Sequence, residues 1–235
     1  MSIKELFKEY FKNGGVEKND KILLHSNLSE LFKISKKEGF TFDAENLLDF
    51  ITEYIGPNGT LILPSFNFDF CSKGYYSFKE TVSKMGVLTE IARVKAGKNK
   101  TWHPVYPFTI FGKIPEKELS KKDYSALGKD SIFNWLVENE GKIAIMNLDD
   151  QNSMTFYHHV EEIYEANWRI KKIFPGKYKD FLNKEKDIKA IIYVRDITRG
   201  VVTKVDKMEE LLWKKNLYVS NNDDRKRPAK IDISK

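Results

Sequence analysis

Three short apolar runs constrain this chain more than anything else in it. Ile22-Leu23-Leu24, Leu61-Ile62-Leu63 and Ile143-Ala144-Ile145-Met146 are each too short for a helix and each is bounded by polar or turn residues. Runs of that kind read as strands buried inside a sheet. Helical patterns alternate with them. Ile3 to Phe11 is amphipathic and ends at Asn13-Gly14-Gly15, and Phe42 to Ile55 carries Leu47, Leu48, Ile51 and Ile55 at helical spacing before the turn Gly56-Pro57-Asn58-Gly59. Met85 to Val94, Ile132 to Glu138 and Lys207 to Lys215 read as further helices, and Phe108 to Gly112 and Ala190 to Val194 as further strands. The alternation predicts an α/β fold: a three-layer-like sandwich with a central mixed β-sheet flanked by helices. Residues 1–220 are expected to form a single domain, followed by a disordered tail over 221–235. Ser65 to Ser83 has no clear period and reads as a long aromatic loop, a kind of segment that is usually functional or mobile.

Charge and cysteine content narrow the function classes. The net charge is +6, from 40 basic and 34 acidic residues. The excess is spread thinly, whereas a nucleic-acid binder would show a denser basic face with interleaved aromatics. An anionic small ligand is the easier fit, and no nucleic-acid partner is expected. No apolar run approaches the roughly 18 residues of a membrane span, and no signal peptide is visible. The single Cys71 cannot form an internal disulfide and fits a reducing compartment. The expectation is a cytoplasmic protein with no membrane partner.

Three constellations carry chemistry. The strand at Lys21 to His25 hands directly to a helix through Ser26-Asn27-Leu28, with Asn27 as cap and Glu30 three residues on. Free N–H groups at such a junction bind phosphates and carbonyl oxygens. An ordinary capped helix with a satisfied His25 is the plainer reading of the same residues. The second constellation is Trp102-His103-Pro104, where His103 either meets substrate or serves as a structural loop histidine. The third is Thr155-Phe156-Tyr157-His158-His159-Val160-Glu161-Glu162. His158 and Glu161 share a helical face, and a histidine with a carboxylate neighbour is the minimum equipment of a general base. A solvent-facing amphipathic helix remains the alternative. Adjacent helical residues diverge by about 100°, so at most one of the two histidines serves a site. The pattern HExxH is absent and the lone cysteine offers no cluster, so no metal is expected. Nothing around Cys71 points to an activated thiol.

Taken in order, these segments resemble the aminoglycoside 3-N-acetyltransferase family from about residue 20 to 165. Leu23-Leu24-His25-Ser26-Asn27-Leu28-Ser29 is similar to its LLVHSSLS, and Ile55 to Phe66 to its LGPDGTLVMPTF. Met85-Gly86-Val87-Leu88, Trp102-His103-Pro104, Lys129-Asp130-Ser131 and Thr155 to Glu161 stand where the family has MGVL, HP, GS and TSLHLAE. The departures are Asn27 for the second serine and Met154 and Phe156 flanking Thr155. The resemblance implies an acyl-CoA-dependent N-acyltransferase, acetyl-CoA being the default co-substrate, that works without a covalent acyl-enzyme. It implies that His158 activates the acceptor amine with Glu161 beside it. It also implies that His25, Ser26, Asn27, Leu28, Met85, Gly86, Val87 and Ser131 hold coenzyme A. Thr155 is a candidate donor to the thioester oxygen. His103, Phe66 and Tyr75 are candidates for acceptor contacts, because aromatics stack on bases and sugar faces. The acceptor is expected to be an amino sugar, nucleotide-linked on the strength of the aromatic loop and the basic chain. A drug-inactivating aminoglycoside acetyltransferase and a catalytically silent binding protein are the alternatives. A homo-oligomer is left open.

Overall fold

The computed structural model describes residues 3–37, 39–219 and 230–232. Its strands are β1 (Lys21–Ser26), β2 (Thr60–Pro64), β3 (Tyr75–Ser77), β4 (Phe108–Gly112), β5 (Lys142–Met146), β6 (Arg169–Lys179), β7 (Glu185–Arg195), β8 (Tyr218–Val219) and β9 (Lys230–Asp232). Its helices are α1 (Ile3–Asn13), α2 (Ser29–Lys37), α3 (Ala44–Ile55), α4 (Phe70–Lys73), α5 (Val87–Lys95), α6 (Glu116–Ser120), α7 (Ile132–Glu138), α8 (Asp150–Ser153), α9 (Phe156–Ile163) and α10 (Asp206–Lys214).

The three apolar runs lie side by side. β1 pairs in parallel with β2 on one flank and with β5 on the other, Ile22 standing opposite Leu61 and Lys142. β4 runs antiparallel to β2, and β9 antiparallel to β5, giving a six-stranded mixed sheet of order β4-β2-β1-β5-β9-β8. Strand alternation sorts the side chains onto two faces. Ile22, Leu24, Leu61, Leu63, Ala144 and Met146 join Phe7, Leu47, Leu48, Ile51 and Leu88 from α1, α3 and α5 in one core. Leu23, Ile62, Ile143 and Ile145 face the other way, onto Phe133, Trp135 and Leu136 of α7 and onto Met154. Each fully buried Leu or Ile contributes about 1.5–3 kcal/mol, so both layers of helices are fixed by the same strands. The α/β sandwich expected from the alternation is the observed architecture.

α3 shows how local sequence sets an element. Asp43 caps it by accepting from the Glu45 N–H at 2.9 Å, and Leu47, Leu48, Ile51 and Ile55 turn one face inward. Gly56 ends it at φ +77°, a conformation that suits glycine.

The aromatic stretch 65–83 corrects the sequence reading. It contains α4 and β3, and Phe66, Phe70, Tyr76 and Phe78 are all buried. β3 adds in parallel to β6, and β6 pairs with β7 as a long antiparallel hairpin, making a second sheet of three strands. Phe70, Tyr76, Phe78, Trp102, Val105 and Tyr178 form a third core against Ile188, Ala190 and Ile192 of that sheet. The aromatics are therefore the packing of a small sheet and not an open loop. β6 itself has no counterpart among the expected strands, and β7 extends further toward its N-terminus than expected. Of the tail 221–235, only 230–232 falls among the described residues, where it is strand β9; the remainder lies outside them.

Gly176 fixes the seam between α4 and the small sheet. A Cβ there would stand 2.6 Å from the Gly74 carbonyl oxygen and 2.7 Å from the Phe70 ring. Gly176→Ala is expected to cost about 1–3 kcal/mol by overpacking, read as a lowered urea midpoint; an unchanged midpoint would show that the seam has room to yield.

Candidate active site

The C-terminal ends of the parallel strands β1 and β5 meet, which is where α/β sheets commonly place ligands. The Asn27 N–H donates to the Met146 carbonyl at 2.8 Å, and the Asn147 side chain donates to the Asn27 carbonyl at 3.2 Å. Asn27 Oδ1 accepts from the Ser29 backbone N–H at 3.0 Å and from its hydroxyl at 2.7 Å. Asn27 thus closes the turn just before Leu28, whose carbonyl accepts the first helical bond of α2 from the Phe32 N–H at 3.0 Å. Gly86 adjoins this turn: its φ is +112°, and a Cβ on it would lie 4.0 Å from the Ser26 carbonyl oxygen. The turn His25-Ser26-Asn27-Leu28 and the segment Met85-Gly86-Val87 are therefore neighbours. His25 is buried, and burial pushes its pKa down to about 4. Ser131 is 2% exposed and caps α7, accepting from the Asn134 N–H at 3.4 Å.

β5 runs on through α8 into α9. Met154 and Phe156 pack into the core that faces α7, which sets the rotation of α9. His159 points inward. Its Nδ1–H donates to the Leu127 carbonyl at 2.7 Å, its ring stacks on Phe133 with centroids 5.9 Å apart, and burial lowers its pKa. One histidine is thereby spent on packing, and the other is turned to the surface side.

His158 keeps 27% of its side chain exposed. Its Nδ1 lies 2.9 Å from Glu161 Oε2, and Nε2 makes no bond to a described residue. The carboxylate is held at both oxygens. The Trp168 indole N–H donates to Oε1 at 2.8 Å, and Arg169 Nε lies 2.5 Å from Oε2, forming an ion pair without good hydrogen-bond alignment. Arg169 Nη2 also comes within 2.7 Å of His158 Nδ1, while Nη1 donates to the Tyr193 carbonyl at 3.0 Å. Burial alone would raise the Glu161 pKa, but the bonds from His158 and Trp168 and the Arg169 charge outweigh it, so its carboxyl is held below the usual range. Thr155 begins α9, and its hydroxyl makes no bond to a described residue.

Two further carboxylates flank α9. Glu162 accepts from the Ser125 hydroxyl, and burial raises its pKa. Burial pushes Asp123 up to about 6, with Glu162 adding to the effect.

The remaining candidates fall elsewhere. His103 is 2% exposed, and its Nδ1 accepts the backbone N–H groups of Val105 at 3.1 Å and Tyr106 at 3.0 Å. It is a buried, turn-forming histidine whose Nε2 has no hydrogen-bond partner among the described residues. Phe66 is also 2% exposed and packs edge-on against Tyr106 and Phe108. Tyr75 is exposed but lies on β3, opposite Lys177 in the small sheet. Cys71 is partly buried, and burial raises its thiol pKa, which disfavours a thiolate. Among the described residues no cluster of His, Cys, Asp and Glu could hold a metal ion, and no helix is long and apolar enough to cross a membrane.

Sequence reasoning missed Trp168 and Arg169. One signal was present: only six of the 40 basic residues are arginines, and Arg93 and Arg169 both make buried ion pairs, with Glu90 and Glu161. In a lysine-rich chain the sparse arginines mark forked contacts to carboxylates.

A sequence model of the aminoglycoside 3-N-acetyltransferase family matches residues 23–222. No curated protein matches the chain. Among solved structures, aminoglycoside acetyltransferase AAC(3)-Xa shares the fold with a TM-score of 0.80 at 14% identity, over 98% of this chain and 88% of that one. AAC-IIIb in binary complex with CoASH gives 0.76 at 14% identity, over 99% and 92%. AAC-VIa bound to sisomicin gives 0.75 at 14% identity, over 98% and 92%.

His103 makes a pH dependence testable. Burial lowers its pKa to about 3, against the ordinary 6.5 expected once unfolded. The unfolded chain therefore binds a proton that the fold refuses, and the stability that His103 contributes above pH 6.5 is lost as pH falls from there toward 3. That loss amounts to about 2 kcal/mol by pH 5. His103→Asn keeps an acceptor near Nδ1 without the titration. Urea unfolding at pH 7.5 and pH 5 is expected to show a smaller pH difference in the variant; equal differences would mean that His103 does not contribute.

Proposed function

The chain belongs to the aminoglycoside 3-N-acetyltransferase family, and from that premise we propose that it transfers an acyl group, by default acetyl, from acyl-CoA to an amine of an amino sugar. The observation that carries this reading is the His158–Glu161 pair, 2.9 Å apart, with His158 Nε2 free.

An ammonium has no lone pair, so the acceptor must lose a proton before or during attack. With Nδ1–H donated to Glu161, Nε2 of His158 accepts that proton, and the carboxylate stabilises the imidazolium that results. The amine nitrogen bonds to the thioester carbon, whose oxygen gathers negative charge. The free Thr155 hydroxyl is the candidate donor there, in the manner of an oxyanion hole. The C–S bond then breaks as the bonded nitrogen gives up its second proton to solvent, and the proton held by His158 passes to the departing coenzyme A thiolate, leaving a neutral amide and a free thiol. The neighbouring backbones of Ser26-Asn27 and Gly86 are suited to the pantetheine and phosphate end of coenzyme A, since both present main chain at the end of a parallel strand. AAC-IIIb has been crystallised with CoASH on this fold. Ser131 is engaged through its hydroxyl in capping α7 and through its N–H with the Gly128 carbonyl at 3.1 Å, so it would act by fixing the start of α7.

The nature of the acceptor follows from charge. The aromatic case for a nucleotide-linked sugar weakens once Phe66, Phe70, Tyr76 and Phe78 are placed in cores. Two carboxylates of α9 follow His158 within one turn, Glu161, which is paired with Arg169, and Glu162, which accepts from Ser125. That supports an acceptor with more than one amine, as in the sisomicin bound by AAC-VIa. A nucleotide-linked amino sugar is the second reading. It is favoured by the cationic end of β7, with Arg195 close to Arg199 in sequence.

Steady-state acyl transfer, with products identified by mass spectrometry, separates these readings. His158→Ala is expected to lower kcat by roughly 10²-fold or more while acyl-CoA still raises the melting temperature. If kcat stays within a few-fold of wild type, His158 is not the base. Turnover of nucleotide amino sugars with none of aminoglycosides would overturn the polyamine acceptor, and failure of any acyl-CoA to bind would overturn the enzyme reading.

A further inference from the structure

Nδ1 of His158 has one in-plane site, and two groups claim it. Glu161 Oε2 at 2.9 Å can accept a proton from it, and Arg169 Nη2 at 2.7 Å can donate one to it. These demands exclude each other. If Nδ1 carries the proton, Nε2 has its lone pair free. If Nδ1 accepts from Arg169, the proton sits on Nε2, and the outward nitrogen cannot act as a base.

Arg169 is placed to settle the choice. It stands at the first residue of β6, its side chain is 4% exposed, and Nη1 is anchored on the Tyr193 carbonyl across the β6–β7 ladder. From that anchor its Nε reaches Glu161 Oε2 at 2.5 Å, while Trp168 holds Oε1. Glu161 therefore cannot swing away from His158. A carboxylate so fixed gains a charge-assisted bond from Nδ1–H. Arg169 in turn loses little by leaving Nδ1, because it keeps both Oε2 and the Tyr193 carbonyl.

We propose that Arg169 is a positioning residue: anchored on the β6–β7 hairpin, it pins Glu161 against His158 and so holds the imidazole in the tautomer whose Nε2 faces the acceptor amine. This rests on the assignment of His158 as the base. The hairpin, which belongs to the second sheet, thereby fixes a side-chain pair on a helix that packs against the first.

The test starts from the intact protein with ¹⁵N-labelled histidine. The His158 signal is identified by its loss in His158→Ala. In the neutral form of wild type, Nδ1 is expected to show the shift of a protonated nitrogen and Nε2 that of an unprotonated one; the reverse pattern overturns the proposal. Arg169→Met is expected to mix the two tautomers. It should lower kcat roughly 10- to 100-fold, the size of a general-base contribution in part withdrawn, with KM for acetyl-CoA within about threefold. Added guanidinium should restore part of kcat. Arg169→Lys keeps the charge without the fork and is expected to remain impaired. If Arg169→Met fails to fold, the wild-type shifts and the lysine variant still decide. If His158→Ala abolishes turnover while Arg169→Met leaves the shifts and kcat unchanged, only the role of Arg169 falls. If His158→Ala retains turnover, the base assignment falls first.

Discussion

Burial of β1 and β5 on both faces is the constraint from which the rest follows. A parallel ladder with no wet face needs helices above and below it, and its connections must cross over the sheet. α3 and α5 cover one side and α7 the other. Because β1, β2 and β5 run the same way, the loops leaving β1 and β5 emerge at one edge. The same edge receives Gly86, whose backbone angle is suited to glycine there. Both parts of the candidate site, the turn after β1 and the path from β5 through α8 into α9, start from that edge.

Much of this was legible in the residues. Apolar runs of three or four between turn residues read as buried strands, and β1, β2 and β5 lie where the runs predict. α3 follows from the periodicity of Leu47, Leu48, Ile51 and Ile55, and α7 lies where Ile132 to Glu138 reads as a helix. That His158 and Glu161 share a face, and that at most one of the two histidines serves a site, follow from helical geometry, and the bond to the Leu127 carbonyl makes His159 the inward one.

What was not legible is long-range. β6 reads Arg-Ile-Lys-Lys-Ile-Phe-Pro-Gly-Lys-Tyr-Lys. Its proline and glycine argue against a strand, and its lysines spoil the alternation. It is a strand because β7 pairs along its full length and β3 along its end. The stretch 65–83 failed for the same reason: three residues of β3 are too few to show a period. Phe66 and His103 were left open as acceptor contacts because burial is not written in composition, and both are buried. Arg169 was missed because its partners, Glu161 and the Tyr193 carbonyl, come from different elements, and only the scarcity of arginine marked it. Trp168 shows the same limit, since an indole that holds a carboxylate looks in sequence like any other aromatic.

The pairing of Ile22 with Lys142 spans about half the chain. Contacts so distant cost loop-closure entropy before they return burial energy, which slows folding. β5 is the last strand of the parallel ladder to leave the ribosome, and α9, with His158 and Glu161, follows it directly. The turn after β1 exists early but lacks the neighbour that completes it. During synthesis, then, the dyad becomes native only after most of the chain has emerged, and an interrupted chain ending before β5 holds half a ladder with an exposed edge. Such an edge is a template for pairing with other chains. For this molecule the hazard of truncation is therefore aggregation before it is loss of chemistry.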